Sequence, residues 1–285
     1  MGKKFLYGSI LLNVILIGFI LISSLERGED ATNSGKDTAG SLSAVSVAPT
    51  ISTLTYPDGS VYEGQMSNEM ANGLGEKSYP NGKVFTGTWK NNAIDGFGQA
   101  TSPNGSYYIG HWLKGKLENI GIRRDKEGSF YYGEFKNGQE SGLGTLYLKS
   151  QDVFIGSWKD GKQSGHGTYI YKDGTIYIGN WAEGNQSGQG KQLFNDGDSY
   201  VGEYKLGQFE GQGTYIFGNG IRFDGVWKSG KRDGEGTLTD LNHVTYMGEW
   251  YGDWNDNTAK GIVTAYYPNG KTAKGQYVNG KFIKP

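Results

Sequence analysis

The feature that most constrains this chain is a glycine that recurs every 23 residues between two large side chains. In the stretch YIGNW, Gly179 lies two residues from Tyr177 and two from Trp181. Nine such glycines follow one another at this spacing, and a tenth comes 27 residues later: Gly64, Gly87, Gly110, Gly133, Gly156, Gly179, Gly202, Gly225, Gly248 and Gly275. A fixed period of this length indicates a repeat protein, in which each unit is stabilised by its neighbours.

The composition follows from the repeat and excludes several classes of function. The chain has 285 residues with 49 glycines, yet 14% of its residues are aromatic, so it is not a disordered low-complexity sequence. Its net charge is −1, which argues against a nucleic-acid partner. It has no cysteine, which excludes disulfides and thiol chemistry.

The spacing within one repeat predicts a β-hairpin. Side chains two residues apart on a strand share a face, so both rings point the same way, and the bare glycine between them leaves room for a ring close to the backbone. Turn signals such as Asn137-Gly138 and Asp160-Gly161 separate the strands. Residues 56–285 are therefore predicted to form an all-β fold, an elongated single-layer antiparallel sheet of about ten hairpins.

The amino-terminal segment has a different character. Residues 5–25 are 21 residues without a charge, enough for a helix to span a bilayer core of about 30 Å. Because Lys3 and Lys4 precede them, a transmembrane signal anchor over residues 1–25 would keep the N-terminus in the cytoplasm and the repeats on the extracytoplasmic side, which is periplasmic in a bacterium. A cleaved signal peptide is the alternative. Residues 26–55 are small and polar and predict a flexible linker.

The complete repeat pattern resembles that of the MORN family (membrane occupation and recognition nexus). The pattern is Tyr-x-Gly-x-Trp-x-x-Gly-x-x-x-Gly-x-Gly, and the repeat that starts at Phe154 follows it through Gly167. Asn119 and Asp253 depart from the glycines of the pattern in repeats 3 and 9. The resemblance covers residues 56–285. It implies a binding or scaffold module with a twisted sheet and an aromatic groove, of a family whose members bind acidic phospholipids or other proteins.

No constellation of catalytic or metal-ligating residues stands out, so we expect no enzyme activity, cofactor or metal. Two P-loop near-misses, ending at Gln163 and Arg232, fall at the repeat period and are interpreted as hairpin turns. The three histidines, at positions 111, 166 and 243, occupy different places in their repeats. Asp253-x-Asn255-x-Asn257 imitates the start of a calcium loop but lacks its glycine and closing glutamate, so a longer hairpin loop is expected there.

The aromatic ladder is the candidate binding surface. We predict a membrane-anchored, non-enzymatic scaffold that presents this ladder to a protein partner, with phospholipid or envelope-polysaccharide binding as the alternative. The rings could instead be purely structural. Because a single-layer sheet cannot bury both faces, part of the ladder is expected to remain an exposed apolar groove. Its candidate residues are Trp89, Tyr108, Trp112, Trp158, Tyr177, Trp181, Trp227, Tyr246 and Trp250.

Overall fold

The repeats form one antiparallel β-sheet of 21 strands. The computed structural model describes residues 51–253 and 260–285. In these two ranges it contains no helix long and apolar enough to cross a membrane. The anchor predicted over residues 5–25 and most of the predicted linker lie outside the described residues.

The strands alternate between seven and nine residues over most of the sheet, which gives each hairpin one short and one long strand. Their bounds are β1 Ile51–Thr55, β2 Val61–Ser67, β3 Met70–Ser78, β4 Val84–Lys90, β5 Ala93–Thr101, β6 Tyr107–Leu113, β7 Lys116–Arg124, β8 Phe130–Lys136, β9 Gln139–Tyr147, β10 Val153–Lys159, β11 Lys162–Ile170, β12 Ile176–Ala182, β13 Asn185–Leu193, β14 Ser199–Lys205, β15 Gln208–Ile216, β16 Arg222–Lys228, β17 Lys231–Thr239, β18 Thr245–Asp253, β19 Lys260–Tyr266, β20 Thr272–Val278 and β21 Lys281–Ile283.

Each strand pairs with the next one along the chain, so the sheet is a meander. Ten hairpins run from β2–β3 to β20–β21, as the repeat period predicts. The sheet begins earlier than expected, because β1 lies within the last five residues of the predicted linker. β1 pairs with β2 over five residues and places Leu54 opposite Tyr62, so it supplies the backbone partners that the outer edge of β2 would otherwise lack.

The turn inside each hairpin explains its sequence signal. Asp160 and Gly161 connect β10 to β11 with φ angles of 50° and 78°. Positive φ at both central residues defines the type I′ turn, whose twist matches that of the flanking strands. This pair lies within the first P-loop near-miss, so its interpretation as a hairpin turn is confirmed.

In the eight hairpins from β2–β3 to β16–β17, the central glycine is opposite a glycine of the long strand, and a bulge follows this pair. In the hairpin of β12 and β13, Gly179 is opposite Gly190, and the register shifts between Gly179 and Trp181. The ring of Tyr177 lies over this pair: a Cβ on Gly190 would be 2.6 Å from the Tyr177 Cε2 atom. The Tyr177 hydroxyl donates a hydrogen bond of 2.9 Å to the carbonyl of Asn180, at the bulge. The close approach predicted for a strand glycine is confirmed.

The tryptophans connect one hairpin to the one before it. The Trp112 indole Nε1 donates a hydrogen bond of 2.9 Å to the carbonyl of Gly98, which belongs to the preceding repeat. Trp89, Trp227 and Trp250 make the same bond to the carbonyl 14 residues earlier. These four repeats therefore bind the preceding repeat through a specific hydrogen bond as well as through packing.

Candidate binding surface

The predicted aromatic ladder is the core of the sheet and does not form an open groove. Eight of its nine side chains are between 0% and 8% exposed, and Tyr108 is partly buried. The expectation of an exposed aromatic groove is therefore wrong. The eight buried members are Trp89, Trp112, Trp158, Tyr177, Trp181, Trp227, Tyr246 and Trp250.

Neighbouring repeats bury these rings against each other. The centroid of the Trp181 ring lies 5.0 Å from that of Phe154 in the preceding repeat and 5.5 Å from that of Tyr177 in its own. Both pairs are edge-to-face, an arrangement that contributes about 0.5–1.5 kcal/mol beyond the buried area. Ring contacts of this kind between neighbouring repeats bury most of one face of the sheet. We call this face the ring face.

The opposite face of the sheet has no layer packed on it within the described residues. On β12, Tyr177, Gly179 and Trp181 are buried, whereas Ile178 and Asn180, which alternate with them, are exposed. We call this second side the open face. Its central row comprises the residue before each central glycine and the residue paired with it on the long strand.

The register joins this central row across the sheet without a break from β4 to β18. Thr86 is opposite Gln99, Gln99 is opposite Ile109, and the same pairing continues to Met247. The row is Thr86, Gln99, Ile109, Ile122, Tyr132, Thr145, Ile155, Thr168, Ile178, Lys191, Val201, Thr214, Asp224, Thr237 and Met247.

Aliphatic side chains dominate the open face between β6 and β12. Ile155 and Ile178 are 48% and 41% exposed, although both are large and apolar. A second position of the open face, the middle residue of the Gly-x-Gly segment on each long strand, is also apolar in the first four repeats. These residues are Leu74, Phe97, Ile120 and Leu143. From β6 to β12 the row crosses six strand spacings, or about 29 Å. A surface that exposes several large apolar side chains over this distance is typical of a binding site.

The open face becomes acidic between β13 and β18. A shallow concavity of about 790 Å³ lies there, and its lining contains four carboxylates, Glu203, Asp224, Glu235 and Glu249, but no lysine or arginine. Asp224 bonds to Arg222 at 2.5 Å. Burial alone would raise the pKa of Asp224, but hydrogen bonds from Arg222 and Thr214 outweigh it and hold that pKa below its usual value.

The remaining candidate residues are separate from one another. The His166 Nδ1 atom lies 3.2 Å from the Asn180 side-chain oxygen on the open face, whereas His243 occupies a turn with φ of 58°. No group of three or more potential metal ligands occurs within residues 51–253 and 260–285. Asp253 ends β18 and forms a salt bridge of 3.1 Å with Lys231, and Asn255 and Asn257 lie outside the described residues.

The open-face residues were missed by the sequence analysis, although the repeat carries a signal for them. When the repeats are aligned on the central glycine, the residue before it varies from Thr86 through Ile155 to Asp224, while the flanking rings persist. Alternate positions of a strand lie on opposite faces of the sheet. The positions that keep their rings from repeat to repeat therefore indicate the packed face, and the positions that vary indicate the other face.

Comparison with solved structures finds matches of low similarity. The TCP10 domain of Danio rerio CPAP, in complex with a peptide of STIL, matches with a TM-score of 0.45 and 11% identity, covering 82% of this chain and 97% of that one. The TCP domain of Drosophila melanogaster SAS-4, in complex with a proline-rich motif of Ana2, matches with a TM-score of 0.30 and 11% identity, covering 76% and 96%. Virginiamycin B lyase from Staphylococcus aureus has a TM-score of 0.15 and 10% identity, covering 78% and 82%. Because each TM-score is below 0.5, we draw nothing about function from them.

Comparison with protein families identifies the repeat. No curated protein matches the sequence. The family model of the MORN repeat matches eight consecutive segments, residues 62–84, 85–107, 108–130, 131–153, 154–176, 177–199, 200–222 and 223–242. Together they span more than half of the chain and coincide with the hairpins of the sheet. The chain belongs to the MORN-repeat family.

Proposed function

We propose that this protein is a non-enzymatic scaffold that holds a protein partner on the open face of its sheet. The observation that carries the proposal is the exposed aliphatic surface between β6 and β12, which no other part of the described chain covers. The membership of the MORN family supports a binding role. The ring face is unsuited to this role because its side chains are already packed between repeats.

The proposal includes attachment to a membrane. Residues 5–25 would anchor the chain, with its N-terminus in the cytoplasm and the repeats on the other side. A reporter that is active only outside the cytoplasm, fused after Pro285, should be active. Activity of a cytoplasm-only reporter at the same position would contradict this orientation, and a mature chain that starts near residue 25 would contradict the anchor.

Affinity capture from detergent-solubilised membranes, followed by mass spectrometry, tests the binding role. The test variant replaces two exposed aliphatic residues of the open face, Ile155→Lys with Ile178→Lys. The control is Leu206→Lys, because Leu206 is 72% exposed but occupies a hairpin turn with φ of 50°, where repeat 3 already has Lys114 with φ of 49°.

The expected result is a protein that copurifies with the parent and the control but not with the open-face variant. Equal recovery with all three chains would contradict the assignment of the open face. Salt-sensitive flotation of the chain with anionic vesicles, unaffected by the open-face variant, would favour the phospholipid alternative.

A further inference from the structure

The open face changes its chemistry along the sheet, and this change describes the molecule that fits it. Between β6 and β12 four of the seven residues in the central row are isoleucines, and between β13 and β18 the concavity contributes four carboxylates without a basic residue in its lining. Both regions share the same central row, so one bound segment that crosses the strands would contact both.

Two of the carboxylates are placed where they repel each other. Glu235 on β17 is directly opposite Glu249 on β18. Like charges in directly opposed positions destabilise a sheet. Neither glutamate, nor Glu203, forms an ion pair with a lysine or arginine in the described part of the chain. The Tyr251 hydroxyl donates a hydrogen bond of 2.8 Å to Glu249, which leaves the charge in place.

The basic residues of the same face do not neutralise this group. Arg222 is bonded to Asp224 through both its Nε and its Nη2 atoms. Lys191 lies in the central row next to one edge of the concavity, and Lys260 and Lys274 lie on β19 and β20 beyond its other edge. Within the described residues, none of these lysines forms an ion pair with Glu203, Glu235 or Glu249. The acidic end of the open face therefore keeps a negative charge that a cationic partner would neutralise.

We propose that the occupant of the open face is a polypeptide segment that crosses the strands, with aliphatic residues over β6–β12 and lysines or arginines over the concavity of β13–β18. This inference rests on the proposed function and specifies the chemistry of the partner. From β6 to β18 there are twelve strand spacings, or about 58 Å, which an extended segment of about 17 residues would cover.

The same observations argue against the two other classes of ligand on this surface. Anionic phospholipids would meet uncompensated carboxylates of the same sign. Polysaccharides commonly stack on aromatic rings, but most rings of this chain are packed on the ring face, and Tyr132 is the one ring in the central row of the open face between β4 and β18. A segment with both aliphatic and basic side chains matches both regions.

Selection of a random 18-residue peptide library on the full-length chain in detergent tests the proposal. The selected peptides are synthesised and their affinities are measured by fluorescence anisotropy. The test variant is Glu235→Gln with Glu249→Gln. The matched control is Glu63→Gln with Glu76→Gln, because these two glutamates are also directly opposite each other on β2 and β3 but lie at the other end of the sheet.

The proposal predicts peptides with an aliphatic block and at least three lysines or arginines. Their affinity should fall at least tenfold in the test variant and less than twofold in the control, and should weaken as ionic strength rises. Thermal melts of both variants should have midpoints equal to or above that of the parent, because each pair of substitutions removes a repulsive pair of charges.

Selected peptides without basic residues, equal losses in the two variants, or no selected peptide at all would overturn the proposal. Binding to anionic vesicles that the Glu235→Gln, Glu249→Gln chain makes stronger would also overturn it, by assigning the face to lipid. Suppose that no selected peptide meets these criteria but that Ile155→Lys with Ile178→Lys still abolishes partner capture. The open face then binds a partner of another chemistry. If capture is also unaffected, the proposed function itself is wrong.

Discussion

At the residue scale, the two glycines of each Gly-x-Gly pair are required for different reasons. The first, Gly165 in repeat 5, has φ of 83°, a value imposed by the bulge. Asn119 takes the equivalent place in repeat 3 with φ of 59°, because asparagine tolerates the left-handed region. The second, Gly167, is needed for space: a Cβ there would lie 2.6 Å from the Phe154 ring.

This difference gives a prediction about substitution. Gly167→Ala should lower the free energy of unfolding by about 1–3 kcal/mol, because the added methyl overpacks the Phe154 ring. The free energy of unfolding of Gly174→Asn should stay within about 1 kcal/mol of that of the parent. Gly174 has φ of 96°, and a Cβ added there would have nothing within 4 Å. Denaturant melts of the full-length chain measure both values. Equal losses would mean that the ring does not lie over Gly167.

A second prediction concerns a turn in which the repeat lacks its glycine. Gln151 has φ of 80°, whereas Gly128 and Gly174 occupy the same place one repeat before and after it. Gln151→Gly should raise the free energy of unfolding by about 1 kcal/mol, because a left-handed conformation is unfavourable for a residue with a side chain. Gln151→Ala retains that conformation and should leave the melt unchanged. A stabilisation by alanine as large as that by glycine would rule out the explanation by backbone strain.

At the element scale, each hairpin is stabilised by rings from its neighbours, so the position of a ring in the sheet determines the effect of its loss. Trp181 contacts Phe154 and Tyr169 of the preceding hairpin and Tyr177 of its own. Tyr277 on β20 contacts Tyr246 and belongs to the last hairpin, which only β19 joins to the rest of the sheet.

Removing these two rings should therefore have different consequences. Trp181→Ala should cost about 3–5 kcal/mol and divide one unfolding transition into two, since it weakens an interface in the middle of the sheet. Tyr277→Ala should only fray the end. Denaturant melts followed by tryptophan fluorescence and circular dichroism distinguish these outcomes. A single transition with equal destabilisation in both variants would show that the sheet unfolds as one cooperative unit.

The hairpins could be predicted from the sequence, but which face of the sheet is left open could not. Turn pairs such as Asp160-Gly161 and the alternation of side chains around Gly179 are local signals. The turns and strands that they predict depend only on local backbone geometry. Whether Trp181 lies in a groove or in a core depends on how neighbouring hairpins bend at their bulges, which no spacing within one repeat specifies. Strand β1 was missed for the same reason, because its pairing with β2 is decided by the free edge of the first hairpin.

At the scale of the whole molecule, the core is rich in tyrosines whose hydroxyls resist ionisation. Burial is the largest cause that raises the pKa of Tyr177, Tyr200, Tyr204 and Tyr215 above the usual value for tyrosine, and a hydrogen bond to Asp198 raises that of Tyr215 further. These side chains therefore remain neutral in the folded sheet under conditions in which they would ionise in the unfolded chain.

The dependence of stability on pH follows from the direction of these shifts. The pKa values of these tyrosines are higher in the folded chain than in the unfolded chain. Their contribution to the free energy of unfolding is therefore fully present below pH of about 10 and is lost as the pH rises above it. We expect a steep loss of stability above pH 10, with tyrosinate absorbance appearing together with the loss of β-sheet circular dichroism. Ionisation of most tyrosines while the sheet remains folded would contradict their burial.

The central claim is that one face of this sheet is its core and that the other face binds a partner. Because the natural chain has no cysteine, single cysteines can report on each face separately. Cysteines replacing Ile155, Ile178 or Val201 on the open face, and a control replacing Leu206 in a turn, are labelled with a membrane-permeant maleimide. Labelling rates are measured in native membranes and again after purification in detergent. The predicted result is slow labelling of the open-face cysteines in membranes, fast labelling after purification, and no change at Leu206. Equal rates at the open-face positions in both states, or protection of Leu206 alone, would contradict the claim.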